Sequence, residues 1–156
     1  MSLWAAGLSL LLSVSPGLAP QPATDFSGRW KLVEQETSAW MGRSSTGAHE
    51  EDLAITQSEN RLAVAFADTD GAWDFAYSIA PPPAGDRGDA WSAGHWENGA
   101  LVTVGRRTFR SSKGPVTCDF EERRSLSSDG ARMTVVLRLK MFPKDLVRTS
   151  AYERVE

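Results

Sequence analysis

The chain has 156 residues, of which 41% are hydrophobic and 24% are charged, and these proportions exclude a disordered chain and a fibrous repeat. The formal net charge of −3 argues against a nucleic-acid partner, and no apolar run reaches the roughly 20 residues of a membrane-spanning helix. Cys118 is the one cysteine of the sequence, which excludes an intrachain disulfide and a paired-cysteine metal site.

The segment before Asp25, the first charged residue, has the layout of a secretory signal peptide. Residues 3–14 form an apolar core, and residues 17–19 supply the small-x-small pattern that signal peptidases accept. We therefore expect a signal peptide over residues 1–23, with its cleavage position open by several residues, and one mature domain over residues 24–156. The protein would be exported, to the periplasm or out of the cell. The alternative is a buried N-terminal helix of a cytosolic protein.

The mature region alternates between apolar and polar residues, which is the pattern of half-buried β-strands. Residues 52–57 and 61–66 alternate in this way on either side of a short turn, and residues 132–141 give the longest alternating stretch. Another predicted strand carries its apolar side chains on one face: Trp73, Phe75, Tyr77 and Ile79.

Turn residues separate these stretches. Asn98-Gly99 and Asp129-Gly130 are hairpin signals, because both members of each pair accept a positive φ. Residues 37–50 and 81–89 are predicted as the two long polar loops. We count eight or nine strands, mostly linked by hairpins, which predicts an antiparallel meander that closes into a barrel or splits into a sandwich.

Four short motifs follow one another along the chain, namely GRW at residues 28–30, WENGALV at 96–102, LSSDG at 126–130 and YER at 152–154. In these motifs the chain resembles the bacterial secreted lipocalin-like proteins, which have barrels of the calycin type. The resemblance covers about residues 25–156. It implies an all-β fold, an antiparallel meander barrel of eight to nine strands.

A closed meander pairs its last strand with its first, which brings Arg154 near Trp30 and Arg148 nearer the glutamates at positions 34 and 36. A guanidinium over an indole ring contributes about 0.5–2 kcal/mol. We therefore expect Gly28, Trp30 and Arg154 to close the barrel floor, in a structural role. The alternative is that Arg154 is a solvated terminal residue.

No motif predicts catalysis, a metal site or a cofactor. The histidines, His49 and His95, lack the spacing of metal ligands, and His95 as a haem ligand is a weaker interpretation than a hydrogen-bonded wall residue. Cys118 shares a strand face with Val116 and Phe120, so we expect it to be buried and unreactive. No nucleophile elbow, P-loop or dinucleotide motif occurs.

Three charged residues fall in phase with apolar ones. Arg107 lies two positions from Phe109, and Glu122 and Arg124 lie two and four positions from Phe120, so on a strand each charged residue shares a face with an aromatic one. If the strands keep register, all three charges point into the barrel, where each must be paired or meet a ligand. The alternatives are a bulge that reverses the phase and a Glu122–Arg124 network at the open mouth.

These patterns favour an exported, non-enzymatic binding protein for a small amphipathic or apolar ligand of the fatty-acid type. We expect a monomer, without a nucleic-acid partner. The alternatives are an envelope or interaction module whose barrel is filled by its own side chains, and an enzyme on a calycin-type barrel, since strand number does not separate filled barrels from ligand-holding ones. The predicted ligand contacts are wall residues and either of two arginines: Trp73, Tyr77, Trp91, Phe120 and Leu137, with Arg107 or Arg124.

Overall fold

A computed structural model describes residues 24–39, 42–46, 51–68, 71–81, 88, 90–109 and 114–155. These residues are built from β-strands, and they contain no helix long and apolar enough to cross a membrane. The predicted signal peptide lies outside the described residues, as does most of the predicted loop at 81–89.

The strands follow the alternating stretches of the sequence. They are β1 (Gly28–Ala39), β2 (Gly42–Thr46), β3 (Asp52–Ser58), β4 (Arg61–Asp68), β5 (Gly71–Ser78), β6 (Trp91–Glu97), β7 (Ala100–Phe109), β8 (Val116–Leu126), β9 (Arg132–Leu139) and β10 (Leu146–Val155). Nine of them form a nearly closed antiparallel barrel in the order β5-β4-β3-β1-β10-β9-β8-β7-β6, and β2 pairs with β1. The predicted all-β meander barrel is therefore confirmed.

The barrel closes differently on its two sides. On one side β1 pairs with β10 along most of its length. On the other side β5 and β6, the two ends of the strand order, meet where the Ser78 amide donates a hydrogen bond to Ser92 Oγ over 2.8 Å. A Cβ at Gly94 would lie 3.1 Å from the Ser78 carbonyl oxygen, so glycine allows the two strands this close approach.

The prediction of a loop over residues 37–50 was wrong in its first part. β1 continues to Ala39, and β2 pairs back onto it. The reason lies in β3, which pairs with β1 only from Gly28 to Lys31. The remaining backbone donors and acceptors on that edge of β1 need partners, and β2 supplies them.

A β-bulge interrupts β1 at Val33. Leu32 lies opposite Tyr152, but the next paired residue, Glu34, lies opposite Ala151. One residue of β1 is therefore extra, and such an insertion reverses the inward and outward phase of the strand beyond it.

The bulge shifts the direct partner of Arg148 by one residue. Arg148 lies opposite Thr37, next to Glu36, so it is at the end of β1 where it was expected, nearer Glu36 than Trp30. Glu34 and Glu36 are both exposed, and Glu34 accepts a hydrogen bond from Arg132 over 3.1 Å.

Trp30 fills the floor of the barrel and is completely buried. Its Nε1 donates to the Phe26 carbonyl oxygen over 3.0 Å, and the guanidinium carbon of Arg154 lies 4.4 Å from the centre of its ring. Arg154 also donates from Nη1 to the Ser27 carbonyl oxygen over 2.7 Å and from Nε to the Gly130 carbonyl oxygen over 3.2 Å. One side chain thus joins the start of β1, the end of β10 and the β8–β9 turn.

Gly28 makes room for this arrangement. Its φ is +132°, and a Cβ at this position would lie 2.8 Å from Arg154 Nη1. Residues that carry a Cβ rarely adopt this backbone conformation. Glycine therefore allows the positive φ and also leaves space for the guanidinium of Arg154.

We expect Trp30→Ala to lower the free energy of unfolding by about 3–5 kcal/mol, because it removes a large buried ring. Arg154→Ala should cost about 1 kcal/mol. A double-mutant cycle measured by urea unfolding should show that the two losses are coupled. Strictly additive losses would contradict a stabilising contact between the guanidinium and the indole.

Candidate functional site

The pairing of β7 with β8 decides which side chains face the barrel interior. The two strands pair from end to end without a register shift, which excludes the bulge considered from the sequence. Arg107 and Cys118 are direct partners, and alternation places Phe120, Glu122 and Arg124 on the same inward face. Glu122 is only 5% exposed and Arg124 only 2%.

Glu122 is the centre of a buried hydrogen-bond network. Its Oε1 accepts from Arg124 Nη2 over 2.7 Å, and its Oε2 accepts from the Tyr77 hydroxyl over 3.0 Å. Arg124 Nη1 lies 3.5 Å from the sulfur of Met133. The Glu122–Arg124 network therefore lies in the buried interior, rather than at an open mouth, and the charge of Arg124 is neutralised within the protein.

The protonation states in this network follow from its contacts. Burial by itself raises the pKa of Glu122, but the charges of Arg124 and Arg107 and the two hydrogen bonds hold that pKa below its usual value. Burial, and then the charge of Glu122, raise the pKa of Tyr77 well above its usual value. Near neutral pH Glu122 is thus a carboxylate and Tyr77 a neutral donor.

Arg107 lies in a cage of aromatic rings. Its guanidinium carbon is 3.7 Å from the ring centre of Phe75 and 4.3 Å from that of Phe109. The rings of Tyr77 and Phe120 follow at 5.1 Å and 5.2 Å. These distances are in the range of cation–π attraction, so side chains from three strands surround this cation.

The donors of Arg107 are only partly satisfied. Its Nε and Nη1 atoms are buried, and neither has a hydrogen-bond partner within the described part of the chain. A buried donor without an acceptor costs about 1–3 kcal/mol, and aromatic rings replace only part of that interaction. The arrangement is suited to an oxygen-bearing anion that accepts these hydrogen bonds.

Cys118 on β8 lies directly opposite Arg107 on β7. The free thiol is buried, as predicted. Burial, and next the charge of Asp119, raise the pKa of the Cys118 thiol. It is therefore a neutral, weakly polar wall residue rather than a nucleophile.

The structure brings together most of the predicted ligand contacts. Tyr77, Phe120 and Leu137 belong to the buried core, and Arg107 and Arg124 face the same interior. Ligand contact by these five residues stays a prediction.

The tryptophans and histidines are distributed differently. Trp91 pairs with the exposed Arg106, on the face opposite to Arg107, so its predicted place on the inner wall does not agree with the register. His95 shares that outer face and is exposed. The side chain of Trp73 and all of His49 lie outside what the structure describes.

Sequence reasoning left out two members of the aromatic cage. Phe75 is two positions from Tyr77, and Phe109 is two positions from Arg107. Residues at this spacing share a strand face, so the sequence could have predicted both members of the cage. Sequence reasoning also missed a second buried pair, in which the Tyr152 hydroxyl donates to Glu51 Oε1 over 2.8 Å. Glu51 belongs to a run of three acidic residues, a pattern typical of a solvated surface.

No metal centre is built from the described residues, since no three His, Cys, Asp or Glu side chains come together among them. The candidate site is therefore the interior cluster of Arg107, its four aromatic neighbours and the Glu122–Arg124 pair.

Comparison with protein-family models finds no match for this sequence, and no curated protein matches it. Among solved structures, the chain is similar to one described as the REP1-NXSQ fatty acid transporter, with a TM-score of 0.53 and 15% identity over 83% of this chain and 96% of that chain. A point mutant of the same transporter gives a TM-score of 0.53 and 17% identity over 83% and 97% of the two chains. At these identities the likeness shows a shared fold alone, consistent with the calycin-type barrel that the motifs implied.

The lowered pKa of Glu122 predicts an acid-dependent loss of stability. Its contribution is fully present above the unfolded-state pKa, which is about 4.3, and is lost as the pH falls through the lower pKa of the folded state. The urea midpoint of the native protein should therefore fall more steeply with acidification than that of Glu122→Gln. Glu121→Gln, at the exposed neighbouring position, should keep the native slope. Equal slopes for the native protein and Glu122→Gln would rule out this role.

Proposed function

We propose that this chain is a non-enzymatic binding protein whose barrel holds a small amphipathic anion of the fatty-acid type, with the anionic head on Arg107. The observation that carries the proposal is the guanidinium of Arg107, which has buried donors without a partner among the described residues and an apolar cage around it. A carboxylate supplies the missing acceptors, and the cage excludes water from the contact.

Arg107 is a better partner for the ligand than Arg124. Glu122 already accepts a hydrogen bond from Arg124, so a ligand there would compete with an internal carboxylate. The interior cluster itself holds two cations, Arg107 and Arg124, and one anion, Glu122, so one of its positive charges has no acid partner within the cluster. That surplus lies with Arg107, because both oxygens of Glu122 are engaged by Tyr77 and Arg124.

The apolar part of the ligand would supply most of the affinity. Burial of apolar surface contributes about 25 cal/mol per Å², whereas the desolvation of a buried guanidinium offsets much of its attraction for a carboxylate. Leu137 and Phe120, with the half-buried Leu139, continue the apolar inner face next to Arg107. The fold shared with a fatty acid transporter supports a ligand of this class.

We expect a fluorescent fatty-acid analogue to bind with a Kd in the micromolar range, which corresponds to about −8 kcal/mol. Arg107→Leu should weaken binding roughly tenfold, since it removes charge-assisted hydrogen bonds to the head group. Arg106→Leu is the matched control, because Arg106 is the adjacent residue on the outer face, and it should bind like the native protein. The measurement is a fluorescence titration of each folded variant.

Two results would contradict the proposal. One is equal affinity of the Arg107→Leu and Arg106→Leu variants. The other is no binding of the analogue to the native protein, which would favour the alternative of a barrel filled by its own side chains. Native mass spectrometry of protein purified from its own host provides an independent check, because a bound lipid adds a defined mass.

We further propose that the protein is exported, as a secreted lipocalin-like protein. The uncharged segment before Asp25 and the small-x-small pattern at residues 17–19 support this proposal. N-terminal sequencing of the protein recovered from its host should find a start between about residues 20 and 25. A cytosolic product that begins at Met1 would contradict export.

A further inference from the structure

The connection between β9 and β10 exposes large apolar side chains. Phe142 is 98% exposed and Met141 is 39% exposed. Phe142 therefore buries almost no apolar surface within the protein. Exposed apolar groups that cluster in this way mark interaction sites, and we call residues 140–145 the β9–β10 tip.

The tip leaves the sheet beside the candidate site. The amide of Lys140 donates to the Asp119 carbonyl oxygen over 2.8 Å, and Asp119 follows Cys118, the direct partner of Arg107. Trp30 and Arg154 close the opposite end of the barrel. The tip and Arg107 therefore belong to the same end.

Positive charge surrounds the apolar side chains of the tip. Lys140 Nζ lies 3.0 Å and Arg138 Nη1 3.8 Å from Asp145 Oδ2, so these two cations share one acid. Lys144 is exposed and has no ion pair with any residue described. Residues 138–145 thus carry three cations and one anion, a balance of +2.

We propose that the β9–β10 tip docks on the surface of a bilayer that contains anionic lipids. Phe142 and Met141 enter the boundary between head groups and acyl chains, while Lys140 and Lys144 contact the anionic head groups. The charge favours a bilayer over a second copy of the chain, because the residues 138–145 of two copies, each with a balance of +2, repel each other. The docking itself does not rest on the proposed ligand, although it would bring the Arg107 end of the barrel to a source of fatty acids.

The first test is co-sedimentation of the full chain with vesicles. Binding should occur with phosphatidylcholine vesicles that contain phosphatidylglycerol, should weaken as salt is added, and should be lost with phosphatidylcholine alone. Phe142→Ser should lower the partition coefficient roughly tenfold, and Lys144→Glu by a similar factor. Lys31→Glu makes the same charge change at an exposed position on β1 and should bind more than Lys144→Glu.

The second test locates the contact, because the apolar residues 3–14 are an independent route to a vesicle. An environment-sensitive fluorophore is attached through Met141→Cys or, in a separate protein, through Val155→Cys. Both positions are 39% exposed, but Val155 is at the floor of the barrel. The fluorophore at position 141 should shift to shorter wavelength on anionic vesicles, and the fluorophore at position 155 should not.

Several results would overturn the docking proposal. They are the absence of vesicle binding, binding that Phe142→Ser leaves unchanged, a fluorophore at position 141 that does not respond, and a dimer that Phe142→Ser dissociates in the absence of lipid. Phe142→Ser should leave the affinity for the fluorescent fatty-acid analogue unchanged in the absence of vesicles, because Phe142 is exposed outside the interior cluster. Failure of the ligand proposal and failure of the docking proposal therefore give different results.

Discussion

Charge balance inside a narrow barrel is the constraint on which the candidate site depends. Glu122 has two carboxylate oxygens, and Arg124 and Tyr77 engage both of them. Arg107 lies close enough to lower the pKa of Glu122, yet it makes no hydrogen bond to it. Buried charges are tolerated when they are paired. Arg107 has aromatic faces around it instead of an acid, and in the proposed function the bound anion is its partner.

The same constraint separates two residues of identical type. Arg124 is held by an acid and a thioether in the deep interior, and only its Nε is left buried without a hydrogen-bond partner among the described residues. Arg107 is only partly buried and is surrounded by rings that cannot accept its full set of hydrogen bonds. Both arginines share a strand face with apolar residues, and both point into the barrel. Their environments differ because Arg124 contacts an acid, whereas Arg107 contacts aromatic rings.

Period-2 alternation was sufficient to predict the all-β fold and the hairpin order. It gave the inward phase of Arg107, Glu122 and Arg124 only on the condition that the strands keep register, and the unshifted pairing of β7 with β8 meets that condition. The alternation was insufficient wherever backbone geometry changes the phase without a side-chain signal, as in the bulge at Val33. Trp91 shows a different failure. It is five positions from Trp96, an odd number, so the two rings belong to opposite faces, and the face of Trp96 is the inner one.

Contacts between distant parts of the chain were also beyond the sequence pattern. Glu51 and Tyr152 are 101 positions apart, and nothing near either residue indicates the other. Likewise, β2 consists of small and polar residues, and it forms a strand because β3 leaves one edge of β1 without a partner. Such effects depend on the assembled sheet rather than on local preference.

The pairing of β1 with β10 also governs the order in which the protein folds. Ser27 and Arg154, which hold the two strands together at the floor, are 127 positions apart. β1 therefore keeps an open edge until nearly the whole chain has been synthesised, and contacts of such high sequence separation make folding slow. Open strand edges promote aggregation during that interval. Removal of the last ten residues would leave an open sheet in which β1 and β9 each lack a partner along the edge that β10 occupied, rather than a barrel with a shortened tail.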